Sequence, residues 1–178
     1  MIKKAVLIGA GQIGRGFIGH VLHNAGYNLV FIDVSKKLVD EINLYKEYKI
    51  IVMGAELSEY IVDSISAKMP DDPTAAHTLL DAALITTAVG PSILPKVAPF
   101  IAEGILLRHK NGIKLPLDVI ACENMDGGSS LLRGEVFKYI PTEASAYAEK
   151  YAGFPDAEVS RMVMPVIDEN PLTVKVEK

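Results

Sequence analysis

Three glycines end an apolar run near the start of the chain. The run Lys-Ala-Val-Leu-Ile is followed by the spacing Gly-x-Gly-x-x-Gly, and a helix pattern begins there. The first glycine permits a tight turn, the second lets a pyrophosphate approach the backbone, and the third lets the helix pack closely. The helix also directs free N–H groups and its positive dipole end at the phosphates. We therefore predict a dinucleotide-binding β-α-β unit whose loop contacts come from Gly9, Ala10, Gly11, Gln12, Ile13 and Gly14.

A carboxylate stands where the next predicted strand ends. The run Leu-Val-Phe-Ile-Asp ends at Asp33, nineteen residues beyond Gly14. An acid at this place accepts the hydroxyls of the adenosine ribose and repels a 2′-phosphate, which favours NAD over NADP. Lys36 and Lys37 keep NADP open, because a nearby cation can accommodate that phosphate. A structural alternative also stays open, in which Asp33 only caps the helix that starts near Ser35.

Size and composition narrow the class of protein. A length of 178 residues with 49% hydrophobic and 22% charged residues fits one α/β domain. The net charge of −4 gives no electrostatic reason to expect a nucleic-acid partner. Four histidines and the single Cys122 offer no metal-ligand cluster and no disulfide, which suits a reducing cytoplasm. The apolar start is too short for a membrane span and lacks the cleavage region of a signal peptide. We therefore expect neither a bound metal ion nor association with a membrane.

The rest of the chain alternates helix and strand patterns with one interruption. Apolar spacing predicts helices over 13–25, 35–45, 73–81, 91–106, 128–139 and 142–151, and further parallel strands over 83–88 and 117–122. Residues 48–69 instead predict a small antiparallel excursion. The predicted fold is therefore α/β: a doubly wound, mostly parallel Rossmann sheet that occupies residues 1–178 as one domain.

Two predicted strand ends carry polar groups where a parallel sheet binds ligands. One ends in Thr-Thr-Ala-Val-Gly, where Ala88, Val89 and Gly90 are predicted to face the cofactor near its nicotinamide ribose. The other ends in Ala-Cys-Glu-Asn, where the amide of Asn124 can donate to a substrate oxygen. A turn residue that satisfies its own backbone is an equally good interpretation of Asn124.

Three other residues near these motifs each have a structural and a functional interpretation. We expect Cys122 to be a small buried residue rather than a nucleophile, because its strand is apolar and no base is near in sequence. For Glu123 we favour a solvated charge at a strand end over an acid or base. Arg15 either touches a phosphate or lies on the helix surface.

Three segments together resemble the long-chain polyol dehydrogenase family. They are Gly-Ala-Gly-Gln-Ile-Gly-Arg-Gly-Phe-Ile-Gly at 9–19, Thr-Thr-Ala-Val-Gly-Pro at 86–91 and Ala-Cys-Glu-Asn-Met at 121–125. The resemblance implies NAD-dependent interconversion of mannitol 1-phosphate and fructose 6-phosphate without a metal, so the expected partner is a small sugar or polyol phosphate. It also implies that Asn124 is a catalytic residue that holds the substrate oxygen.

Two features depart from the family pattern. Ser160 stands where family members usually carry an aspartate. The family's catalytic lysine belongs to a helical C-terminal domain, whereas this chain ends at Lys178 after a segment, 171–178, with strand alternation. We therefore expect the cofactor-binding half of a larger enzyme, without the helical domain and inactive alone. A regulatory nucleotide-sensing Rossmann module is the alternative.

Overall fold

Strands in the described residues, 3–54, 57–159 and 170–177, form two sheets in the computed structural model. In chain order they are β1 (Lys4–Ile8), β2 (Asn28–Ile32), β3 (Glu47–Met53), β4 (Ser58–Asp63), β5 (Ser66–Lys68), β6 (Ala82–Thr87), β7 (Leu117–Ala121), β8 (Ala152–Gly153) and β9 (Thr173–Glu177). The larger sheet has the order β5-β2-β1-β6-β7-β8, with every pairing parallel. This order winds outward from β1 in both directions, which confirms the doubly wound α/β prediction.

Helices cover both faces of the larger sheet. They are α1 (His20–Asn24), which continues a π-helical segment (Gly14–Gly19), then α2 (Lys36–Tyr45), α3 (Leu94–Lys110), α4 (Gly128–Phe137) and α5 (Thr142–Tyr151). Val6 and Ile8 of β1 pack in a core with α3, α4 and α5, whereas Ala5 and Leu7 pack in a second core with α2 and the small sheet. Successive strand residues point to opposite faces, so one apolar strand supplies both cores.

The predicted antiparallel excursion is confirmed for β3 and β4, which pair from Glu47 with Asp63 to Val52 with Ser58. It is wrong for β5, because Ser66–Lys68 join the larger sheet parallel to β2. The small sheet is also mixed, since β9 pairs with β3 in parallel. The parallel partners, β2 and β9, lie far away in sequence from the strands they pair with. The local alternation of 48–69 therefore cannot reveal them. The predicted helix over 73–81 is a short 3₁₀ turn (Ala76–Leu79).

Arg108 is a buried cation in α3 that the sequence analysis did not single out. The residue is only 1% exposed to solvent. The guanidinium donates to five backbone carbonyls, those of Leu79, Leu80, Ala82, Leu115 and Pro116. These carbonyls precede or begin β6 and β7, so the side chain ties the end of α3 to the entry of both strands.

We expect Arg108→Met to lower the free energy of unfolding by about 3 kcal/mol, because several buried carbonyls lose their donors at once. Urea denaturation followed by circular dichroism measures the change. Arg133→Met is the matched control, since the Arg133 side chain is half exposed and stacks on Phe137 at the surface. A loss for Arg108→Met no larger than that of the control would contradict the structural role of Arg108.

Within the ranges given above, none of the helices is long and apolar enough to cross a membrane.

Candidate functional site

A cleft of about 500 Å³ lies at the carboxyl ends of β1, β2 and β6. It is lined by Ile8, Gly9, Gly11, Ile32, Asp33, Val34, Pro70, Ala88, Val89, Ile93, Lys96 and Val97. Five of the predicted cofactor-binding residues are therefore brought together here, from three strands. The position is the crevice in which open α/β sheets bind ligands.

The glycine loop at this cleft has the backbone geometry that a dinucleotide needs. Gly9 has a φ of +97°, and a Cβ added there would lie 2.5 Å from the carbonyl oxygen of Ala88. A Cβ added at Gly14 would overlap the carbonyl oxygen of Gly9, so the helix packs on the turn itself. A Cβ added at Gly11, in contrast, would meet no atom within 4 Å. The space above Gly11 is thus open on the cleft side.

The remaining loop residues lie around this opening. Ala10 is fully buried, whereas Gln12 and Ile13 are half-buried at the start of the helix. The backbone N–H of Ala10 donates to the Asp33 carboxylate at 2.7 Å. The loop conformation is therefore tied to the end of β2 by a charge-assisted hydrogen bond.

Asp33 combines a structural contact with unused acceptor capacity. Besides Ala10, its carboxylate accepts from the backbone N–H of Ser35 at 2.8 Å. The cap of α2 is Ser35, whose hydroxyl oxygen accepts from the N–H of Leu38, so the capping alternative for Asp33 is wrong. Each carboxylate oxygen has two acceptor positions. The half-buried Asp33 can therefore still accept ribose hydroxyls from the cleft.

The cation that lines the cleft differs from those that the sequence suggested. Lys36 pairs with Asp40 at 2.6 Å on the exposed side of α2, and Lys37 lines a separate groove beside β3. Lys96 of α3 lines the cleft instead. It comes from a helix far from Asp33 in sequence, so spacing around the acid could not reveal it.

Glu123 is a buried group, and the prediction of a solvated strand-end charge is wrong. The residue is 5% exposed, and its carboxylate accepts three hydrogen bonds. Oε1 accepts from the Thr87 hydroxyl at 3.0 Å and from the Val89 N–H at 3.1 Å, and Oε2 accepts from the Gly90 N–H at 2.8 Å. Gly90 has a φ of +93°. The carboxylate therefore holds the turn that follows β6.

Asn124 is exposed next to this buried carboxylate. It lines a second cavity, of about 300 Å³, with Glu123, Asp126, Asp156 and Glu158 among its neighbours. The Glu123 carboxylate binds the turn that follows β6, and this turn lines the cleft. Asn124 is the next residue in the chain after this anchored glutamate. The geometry thus places an exposed amide at the strand end where the sequence predicted one.

Cys122 is buried, as predicted. Burial, together with the negative charge of Glu123, raises the pKa of its thiol to about 12. A thiol with that pKa is protonated at neutral pH and is a poor nucleophile.

Arg15 is buried, so the alternative that places it on the helix surface is wrong, whereas the contact with a phosphate stays a prediction. Its Nε donates to the carbonyl of Ala10 at 2.5 Å, and a terminal nitrogen donates to the carbonyl of Pro171 at 2.5 Å. The Tyr48 hydroxyl donates to the carbonyl of Arg15 at 2.7 Å. Burial lowers the pKa of the guanidinium. Arg15 therefore supports the loop from behind and joins it to the start of β9.

Two further predictions concern the last part of the chain. The strand alternation predicted for 171–178 is confirmed by β9. Ser160 lies outside the described residues.

Among the residues that are described, no three His, Cys, Asp or Glu side chains come together as a metal site.

Comparisons with known proteins agree with this geometry. The chain is 45% identical over 180 residues to a mannitol-1-phosphate 5-dehydrogenase of Oceanobacillus iheyensis, covering 99% of this chain and 46% of that protein. It is 42% identical over 176 residues to the enzyme of the same name from Enterococcus faecalis, covering 98% of this chain and 45% of that protein. The chain thus spans about half the length of the curated relatives it matches.

Solved structures support the fold. The chain superposes on a Pseudomonas fluorescens mannitol 2-dehydrogenase with a TM-score of 0.74 at 14% identity, covering 92% of this chain and 42% of that one. A yersinopine dehydrogenase gives a TM-score of 0.70 at 14% identity, covering 99% of this chain and 38% of that one. The model of the mannitol dehydrogenase Rossmann domain matches residues 3–178, and the chain therefore belongs to that family.

Proposed function

We propose that the chain binds NAD as the cofactor domain of an oxidoreductase that interconverts mannitol 1-phosphate and fructose 6-phosphate. The observation that carries the proposal is the cleft in which the open face of Gly11 lies beside the Asp33 carboxylate. The substrate class rests on the curated relatives, which are named mannitol-1-phosphate 5-dehydrogenases at 42–45% identity. When bound, NAD supplies the nicotinamide that exchanges a hydride with the substrate carbon.

The residues of the cleft fit the parts of this cofactor. The open backbone at Gly11 suits a pyrophosphate, which the start of the following helix stabilises through its dipole. The acceptor positions left on Asp33 suit the adenosine ribose. Ala88, Val89 and Gly90 form the turn for the nicotinamide end, because they follow β6 at the far side of the cleft.

Asn124 would hold the substrate oxygen beside the nicotinamide end. Its support is the preceding Glu123, whose carboxylate binds the Gly90 turn and so brings the two strand ends together. An amide N–H in that place stabilises an oxygen as negative charge develops on it. The general base and the phosphate-binding groups for the substrate would come from a helical domain outside these 178 residues, since the chain covers under half of its relatives.

A regulatory module without catalysis, the alternative from the sequence, has no support among these relatives, which are named as dehydrogenases. A cytoplasmic location stays a prediction.

The choice of cofactor can be tested at Asp33. We expect isothermal titration calorimetry to show NADH binding about tenfold or more tighter than NADPH, because the carboxylate accepts ribose hydroxyls and repels a 2′-phosphate. Asp33→Ala should weaken NADH binding about tenfold and narrow the gap between the two cofactors. Asp118→Ala, at an exposed site near the opposite end of the sheet, is the control. Equal affinities for NADH and NADPH in the unaltered chain would rule out this role of Asp33.

A further inference from the structure

We propose that Glu123 is a positioning residue that sets the shape of the turn at 87–90 for the nicotinamide end of the cofactor. This inference rests on the proposed function, because it presumes that NAD occupies the cleft. Glu123 itself does not line the cleft, whereas Ala88 and Val89 of the turn do. Its effect on the cofactor therefore passes through the turn.

The turn depends on Glu123 because three of its donors share this acceptor, while the N–H of Ala88 donates to the carbonyl of Ile8. The hydroxyl of Thr87 and the backbone N–H groups of Val89 and Gly90 all point at one carboxylate. Thr87 is fully buried and Glu123 nearly so, so water is a poor substitute for the acceptor. Donors left without an acceptor in such a place are costly, and the turn would rearrange to find new ones.

The backbone of the turn makes such a rearrangement easy. Gly90 has a φ of +93°, and a Cβ added there would meet no atom within 4 Å, so no neighbouring atom packs against that face of the residue. A glycine reaches many other conformations at little steric cost. Two hydrogen bonds hold the observed conformation: the N–H of Gly90 donates to Glu123, and its carbonyl accepts from the N–H of Ile93 at 3.0 Å. Only the first of them fixes the N–H side of the residue.

The chemistry of the acceptor explains why a carboxylate is required. Two oxygens with no attached hydrogen can serve three donors, as observed here. The amide of glutamine has nearly the same shape but only one acceptor oxygen, and its NH₂ group would face an N–H or O–H donor. Glu123→Gln thus replaces one of the two acceptor oxygens by a donor, with a minimal change in volume.

The effect should be confined to one end of the cofactor. Gly11 and Asp33 belong to the loop and to the end of β2. The Asp33 carboxylate accepts from Ala10 and Ser35, and the Gly11 carbonyl accepts from the N–H of Arg15, so these contacts do not involve Glu123. ADP carries the groups assigned to that half of the cleft and lacks the nicotinamide riboside. A change in the turn should therefore weaken NADH binding and leave ADP binding unchanged, whereas general damage to the domain weakens both.

Isothermal titration calorimetry with NADH and with ADP tests the proposal on the full 178-residue chain. We expect Glu123→Gln to raise the Kd for NADH about tenfold, as loss of a hydrogen-bonded charge does, with the Kd for ADP within about twofold of the unaltered value. Glu103→Gln, the same substitution at an exposed site on α3, should change neither. Thr87→Val removes one of the three donors with little change in shape, and we expect a rise of about threefold for NADH alone.

The outcomes separate the possibilities. An unchanged Kd for NADH in Glu123→Gln, or equal rises for NADH and ADP, would overturn the positioning role. If Glu123→Gln does not fold, Thr87→Val decides in the same way, since its turn keeps two donors to the carboxylate. Failure of the unaltered chain to bind NADH would overturn the proposed function itself and this inference with it.

Discussion

Gly11→Val is expected to raise the Kd for NADH about a hundredfold while the fold stays intact. The added side chain enters the open space on the cleft side of the loop, where a Cβ meets no protein atom within 4 Å. It would occupy the proposed position of the pyrophosphate and separate the phosphates from the loop N–H groups. Loss of two hydrogen bonds to charged oxygens, at about 1.5 kcal/mol each, corresponds to a factor of about a hundred.

The increase in NADH fluorescence on binding measures this effect, and thermal unfolding checks the fold. Gly134→Val is the matched control, because Gly134 is exposed on α4 and a Cβ there also meets no atom within 4 Å. The control should bind NADH like the unaltered chain. Undiminished fluorescence enhancement with Gly11→Val would refute the placement of the pyrophosphate.

The second large effect concerns turnover. We expect the 178-residue chain to bind NADH but to reduce fructose 6-phosphate slower than a full-length relative by a factor of at least about 10² to 10⁴, the usual contribution of a positioned general base. Among the carboxylates described around Asn124, that of Glu123 already accepts three hydrogen bonds and that of Asp156 accepts two from Ser130, which makes both poor substitutes for that base. The 178 residues would also lack the orientation that the proposed second domain would give the sugar phosphate.

An NADH-depletion assay compares the chain with the full-length Oceanobacillus iheyensis relative and with that relative cut to its matching segment. We expect the cut relative to lose turnover as the chain does, while both bind NADH. Retained binding distinguishes a missing base from a domain that fails to fold. Turnover by the 178 residues comparable to that of the full-length relative would contradict the placement of the base outside them.

The parts of the site that could be predicted are those set by local chemistry. Gly9 and Gly14 lie at fixed spacing because the turn and the first helical residues must approach one another closely, and the structure places them so. Asp33 was predictable because it ends an apolar strand that pairs with β1 in register. The approach of Gly14 to Gly9 and the pairing of β2 with β1 involve neighbours within one β-α-β unit, which a sequence displays directly.

The parts that could not be predicted depend on distant partners. Glu123 resembles a solvated strand-end acid until β6 and β7 pair and bring three donors from 33 to 36 residues away. Arg15 finds the carbonyl of Pro171 across 156 residues. Ser66–Lys68 continue a local alternation, yet their parallel partner is β2. In each case the deciding contact is tertiary, and it overrides the local pattern.

A crystal structure of the 178-residue chain with NADH tests the proposed site most directly. We predict the pyrophosphate over Gly11, the adenosine ribose hydroxyls on the Asp33 carboxylate and the nicotinamide riboside beside Gly90, with the Glu123 hydrogen bonds retained. Density for the dinucleotide outside this cleft, for example in the groove between α2 and β3 that Lys37 lines, would contradict the proposal.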